Sequence, residues 1–165
     1  MSEIRVDAIK TRAGAVPKAV DVGLNITGTI LQVITATDST ERQTTSNSFV
    51  TASNTLAVNI TPSSASNKIF VTCSLSYHTP GSTYSLFSTI YRGSTNLGHS
   101  TNGFGNLFSG SSYNYGHATL QILDSPNTTS QVTYQPYIKV GSSAGTAGIN
   151  NTNSFSTITA FEVAG

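Results

Sequence analysis

With 165 residues, a net charge of +1 and only 9% charged side chains, the chain is long enough for one domain with a substantial core. It lacks the clustered Lys and Arg that phosphate backbones demand, so nucleic-acid binding is not expected. Its single cysteine excludes an intrachain disulfide, and no apolar run approaches the roughly 20 residues of a membrane helix.

Ser2 to Gly14 alternates Ile4, Val6 and Ala8 with Glu3, Arg5 and Asp7, which favours a short extended segment. Gly14 and Pro17 mark a linker. Val20, Val22, Leu24 and Ile26 then alternate with Asp21, Gly23, Asn25 and Thr27, a strand pattern on a segment too short to bury itself alone. The body begins near Gly28. Thr29 to Ala36 is apolar on both faces, the pattern of a strand covered on both sides. Thr37 to Asn47 reads as a polar loop and Ser48 to Ala52 as a short strand.

The stretch from Leu56 to His78 organises the body. Leu56, Val58 and Ile60 alternate before a polar cluster around Pro62, and Ile69, Val71, Cys73, Leu75 and Tyr77 alternate after it. Two runs of period two about a breaker cluster predict paired, half-buried strands. Tyr84 to Arg92 is the next strand, succeeded by a short run around Leu97. Thr101 to Gly116 is Gly- and Ser-rich, carries Phe104, Phe108, Tyr113 and Tyr115, and reads as a long loop or an irregular strand pair. Ala118 to Asp124 and Val132 to Val140 are strands, with Pro136 pointing to an edge or a bulge in the second. Gly141 to Asn153 reads as a flexible loop, and Phe155 to Val163 closes the chain, apolar on both faces.

About eight body strands at this spacing predict an all-β fold. The expectation is a jelly-roll β-sandwich over 28–165 behind an extended N-terminal arm, 1–27. An immunoglobulin-like sandwich is weakened by the absence of Trp and of a Cys pair. Charge is divided between the two parts. Glu3, Arg5, Asp7, Lys10, Arg12, Lys18, Asp21, Asp38, Glu41 and Arg42 all precede residue 43, and only Lys68, Arg92, Asp124, Lys139 and Glu162 come after it. More than a third of the chain is Ser, Thr or Asn, far above ordinary usage.

Catalysis needs positioned acids, bases or nucleophiles. Beyond residue 43 the only carboxylates are Asp124 and Glu162, which do not form a pair in sequence, and Asp124 beside Ser125-Pro126 is more simply a turn residue. Cys73 shares a strand face with Val71 and Leu75, as an inert core thiol does. His78, His99 and His117 have no metal-ligand spacing, and Gly103-x-Gly105 precedes no helix. An enzyme, whether lytic or cupin-like, is therefore not expected, nor is any cofactor or metal. The best contact surface is the stretch from Phe104 to His117. There Phe104, Phe108, Tyr113, Tyr115 and His117 combine aromatic anchors with adaptable Ser, Gly and Asn, and the tyrosines are candidates for stacking on the sugar rings of a surface glycan.

The series MSEIRVDAIKTRAG, GTILQVITATDS, LAVNITPSSASNKIFV, YRGSTNLG, ILDSPNTTSQVTYQPYIKV and STITAFEVAG resembles the small tail-fibre-like and decoration proteins of tailed bacteriophage virions, especially marine and cyanobacterial ones. The resemblance spans nearly the whole chain. It implies a homotrimer of jelly rolls similar to the tumour-necrosis-factor heads, assembled into virions in the bacterial cytoplasm. It also implies an N-terminal arm that docks on other virion proteins. The docking residues would be Ile4, Arg5, Val6, Asp7, Ile9, Lys10 and Arg12. The strands apolar on both faces offer a trimer interface at Leu31, Val33, Phe155 and Phe161. The expected function is a tail fibre touching the host through distal loops, with a capsid decoration protein as the alternative.

Overall fold

The computed structural model describes residues 27–80, 85–108, 110, 113–141, 145–151 and 153–165. The seven proposed docking residues and the arm up to Ile26 lie outside them.

The described chain is all β. The first sheet contains β1 (Ile30–Asp38), β2 (Arg42–Thr44), β5 (Lys68–Pro80), β9 (Tyr113–Asp124), β11 (Ala147–Ile149) and β12 (Ser156–Val163). The second contains β3 (Val50–Thr51), β4 (Val58–Ile60), β6 (Ser85–Arg92), β7 (Thr95–Asn96), β8 (Gly105–Phe108) and β10 (Val132–Val140). Several of the twelve segments share a row. β12 and β11 occupy successive stretches of the same edge of β5, with β1 and β2 outside them and β9 on the far side. In the second sheet β4 and β3 share one edge of β10, β6 takes the other, and β7 and β8 line the outside of β6. Two antiparallel sheets of four rows, with neighbours supplied by distant parts of the chain, make the eight-row jelly roll the sequence predicts.

The core arises from the period of two. Ile69, Val71, Cys73 and Leu75 on β5, Ile158 and Ala160 on β12, Leu86 and Ile90 on β6, and Tyr134, Ile138 and Val140 on β10 are all buried between the sheets. Leu56, Val58 and Ile60 are equally buried, but β4 does not pair with β5. It pairs with β10 in the opposite sheet. The polar cluster between them is a crossing rather than a hairpin turn, because its residues fold onto the buried Glu162. Ser63 donates to it through both its backbone N and its Oγ, and Asn67 through Nδ2.

Other expectations are corrected in detail. Pro136 lies in an inner strand, paired with Ile90 of β6. Its carbonyl accepts from Ala52 N, so its own nitrogen faces the same side, into the gap between β3 and β4 where no ladder bond is lost. The expected loop Gly141 to Asn153 contains β11, whose three residues are buried; strand content was hidden by small residues that pack backbone against backbone. Part of the expected loop Thr37 to Asn47 is β2, which pairs with β11. Of the two readings of Thr101 to Gly116, the strand-bearing one holds: β8 and the first residues of β9 lie in it, in different sheets. β1 is not covered on both faces within the chain: Ile34 and Ala36 pack on the core, whereas Val33 is 53% exposed.

Candidate functional site

The outer face of the first sheet carries an apolar row. Cross-strand register aligns Val33 on β1, Phe161 on β12, Phe70 on β5 and Leu123 on β9. The Phe70 and Phe161 rings meet at 6.0 Å, and Val33 and Leu123 are each more than half exposed. Beyond it the face turns to hydroxyls. Thr35 and Thr159 share a hydrogen bond of 3.0 Å, Thr37 and Thr157 one of 3.3 Å. His117 Nε2 then meets Ser74 Oγ at 2.7 Å. Tyr115 and Tyr113, 61% and 66% exposed, close the face. Among the described residues no charged side chain lies in these rows.

This face brings together five of the residues singled out in the sequence: Val33, Phe161, Tyr115, His117 and, at its end, Tyr113. Leu31 sits at the bulge where β1 shifts register between Ile30 and Gln32 and is half-buried. Phe155 precedes β12 and is 63% exposed. Phe108, at the end of β8, is also exposed. Phe104 departs from the expected contact surface: it packs against the core beside Leu97 and Leu107, held there by its backbone N donating to Ser88 O.

The two ends of the sandwich differ. Gly28, where the arm enters, donates to Ala164 O, near the start of β5. Tyr113 pairs with Pro80 at the other end of that strand. Thirteen residues of β5 separate the arm from the aromatic tip by about 40 Å at roughly 3.3 Å per residue.

The ionisable groups are mostly structural. Asp124, on the inner face of β9, accepts from Arg92 Nη1 of β6 at 2.8 Å and from Tyr134 Oη of β10 at 2.6 Å, pinning the sheets together. Burial, with Asp124 as its acceptor, pushes the Tyr134 hydroxyl pKa up. Burial likewise raises the Cys73 thiol, which leaves it unreactive. His78 is buried on the outer face because Gly148, its cross-strand partner, has no side chain. Its ring lies over that gap and meets Gln43 Nε2 at 3.3 Å and Glu41 Oε1 at 3.2 Å through Nε2. Burial pulls its pKa down against the opposing pull of Glu41.

Two features escaped the sequence. The first is a cleft of about 380 Å³ at the sandwich edge, between β2 and the chain from β3 to Asn54. Its strands are three and two residues long, too short to leave a period. The second is an aromatic cluster on the outer face of the second sheet. Tyr91 and Tyr137 stack at 4.0 Å, Phe49 meets Tyr91 edge-on at 6.5 Å, and Lys139 Nζ lies 5.0 and 5.1 Å from the Phe49 and Phe87 rings. The alternation of Tyr137 and Lys139 in sequence is visible, but not which rings they meet. Among the described residues no group of three His, Cys, Asp or Glu is placed to hold a metal.

No protein-family model and no curated protein matches the chain. Among solved structures it is similar to chains of infectious bursal disease virus. For the Gx strain the TM-score is 0.44 at 14% identity, over 81% of this chain and 32% of that one. For the Gt strain the TM-score is 0.38 at 16% identity, over 81% of this chain and 38% of the other. The chain thus spans about a third of the length of each structure it matches.

Proposed function

We propose that the chain is a structural protein of a virion: a homotrimeric tail fibre of a tailed bacteriophage, docked through residues 1–27 and touching the host with its opposite end. The observation that carries this is polarity. The charged arm enters at one end of β5, and the exposed Phe108, Tyr113 and Tyr115 stand at the other. The jelly roll agrees with the fold that the sequence resemblance implies. The apolar row through Val33, Phe161, Phe70 and Leu123 supports self-association, since a charge-free apolar band on a sheet face is a surface that favours a partner. The involvement of Asp124 and Glu162, the two carboxylates beyond residue 43, in hydrogen-bonded networks supports a role without catalysis.

The test is quantitative labelling of purified particles with an antibody to the body, read by electron microscopy and by copy number. A fibre appears at the tail in tens of copies or fewer, and deleting residues 1–27 removes it from particles. Hundreds of copies over the head would instead make it a decoration protein. Normal incorporation of the truncated chain would overturn arm docking.

A further inference from the structure

The cleft between β2 and β3 has a chemistry of its own. Arg42 and Thr44 enter it from the first sheet, and Ala52 and Ile138 contribute an apolar floor from the second. Asn54 stands at its rim, exposed. The Arg42 guanidinium is fixed: its Nε donates to Asp38 Oδ2 at 3.0 Å and to Ser53 Oγ at 3.1 Å. Asp38 is buried and also accepts from Ser53 Oγ and from Thr40 N. A guanidinium held by Nε is pre-organised, and it offers its remaining N–H groups in a fixed fork. Arg42 is neutralised by Asp38, and Glu41 leaves the mouth with a formal surplus of one negative charge. The volume lies at the small end of ligand pockets, about 300–1,000 Å³.

We propose that this cleft is a saccharide-binding site for one residue of a neutral glycan, whose next residue crosses Thr51 onto the aromatic cluster of the second sheet. The lining selects the ligand class. Amide, hydroxyl and guanidinium groups match vicinal hydroxyls, and Arg42 paired to Asp38 beside Glu41 gives no preference for an anion. Thr51 is the cross-strand partner of Tyr137, so the rim of the cleft leads directly to the Tyr91–Tyr137 pair and Phe49, whose rings suit the C–H faces of a sugar. An extended peptide is a poorer fit, because adding a strand needs a longer free edge than the three residues of β2 or the two of β3. The site belongs to the end of β10 where Val140 N bonds Ser46 O, the same end of the sandwich as Pro80 and Tyr113. It thus deepens the host-contact reading and rests on it for its biological purpose, though not for its chemistry.

The experiment uses the full-length protein and amide-resolved NMR titration with neutral trisaccharides of glucose, galactose, mannose and N-acetylglucosamine, each beside its monosaccharide. Trigalacturonate serves as the acidic comparison. At millimolar ligand, at least one neutral trisaccharide is expected to shift the amides of residues 42–44 and 50–54. Asn54→Trp, which fills the mouth from an exposed position, should abolish those shifts. Tyr137→Ala should weaken the trisaccharide tenfold or more while leaving the monosaccharide within twofold. Gln131→Ala, exposed just before the opposite end of β10, should change neither. Absence of shifts with every neutral sugar, shifts with trigalacturonate alone, or shifts kept in Asn54→Trp would each overturn the proposal. Particle labelling is independent: a protein that binds sugar here and is absent from virions refutes the virion role and leaves the cleft intact.

Discussion

Glu162 shows how this chain buries charge without a counter-ion. Its carboxylate is 1% exposed and is held by neutral donors: Gln32 Nε2 on Oε2 at 2.6 Å, and Asn67 Nδ2, Ser63 N and Ser63 Oγ on Oε1 at 2.6, 2.6 and 2.8 Å. Burial raises its pKa, and the donors outweigh burial and leave it below the ordinary carboxylate range. Hydrogen bonds to a charged group contribute about 1.5–3 kcal/mol, so Glu162→Gln is expected to destabilise the fold by about that amount, read as a shift in urea midpoint. Two further groups make stability pH-dependent. His78 is held below its usual 6.5, chiefly by burial. As pH falls the unfolded chain therefore takes up that proton first. Stability present above about 6.5 is lost as pH drops through the folded value. Asp38, although burial opposes ionisation, is lowered from 3.8 to about 2 by Ser53, Thr40 N–H and Arg42. Its contribution is present above 3.8 and disappears toward about 2, on the order of 2 kcal/mol. Urea midpoints across pH should thus fall in two steps, and His78→Gln should remove only the upper one.

Among the elements, β11 depends on a glycine. Gly148 lies between Gln43 and His78 in register. A Cβ there would meet Arg42 O at 2.5 Å and His78 Cε1 at 2.6 Å. Backbone cannot yield as a flexible side chain does, and overpacking costs about 1–3 kcal/mol. Gly148→Ala should therefore destabilise by at least that amount and loosen β2, which amide exchange of residues 42–44 would reveal. The same packing explains which strands were readable. β5, β10 and β12 declared themselves because one face of each meets a core and alternation records that contact directly. β2 and β11 did not, since three residues carry no period and Ala-Gly-Ile reads as loop. For Phe104 the sequence left both the core and a contact surface open, and the bond from its backbone N to Ser88 O, just before β8, goes with the inward position.

For the whole molecule, the surface that calls for a partner is the outer face of the first sheet. One sheet face carries the core; the other presents the row Val33, Phe161, Phe70 and Leu123, with Thr and Ser on one side of it and Lys68, paired with Val163, on the other. A homotrimer that uses this face should dissociate to monomer in Val33→Glu, read by light scattering, because a carboxylate placed in an apolar contact loses its hydration. The substitution is at an exposed site, so its effect on the unfolding midpoint should stay within about 0.5 kcal/mol. A wild-type protein that is monomeric at every concentration would refute the trimer.

The amino-acid sequence by itself determined the all-β class, the positions of the long strands, the inert thiol and the division of charge between arm and body. These depend on local alternation and composition, which do not require knowing what a strand lies against. Only the tertiary structure decided that β4 and β5 belong to opposite sheets. It alone put Pro136 opposite a gap, buried His78 over a glycine, and joined residues 42 to 54 into a cleft beside Tyr137. Each of those results from register and sheet crossing between residues far apart in the chain, and a period of two fixes which side a residue faces, not which neighbour it meets.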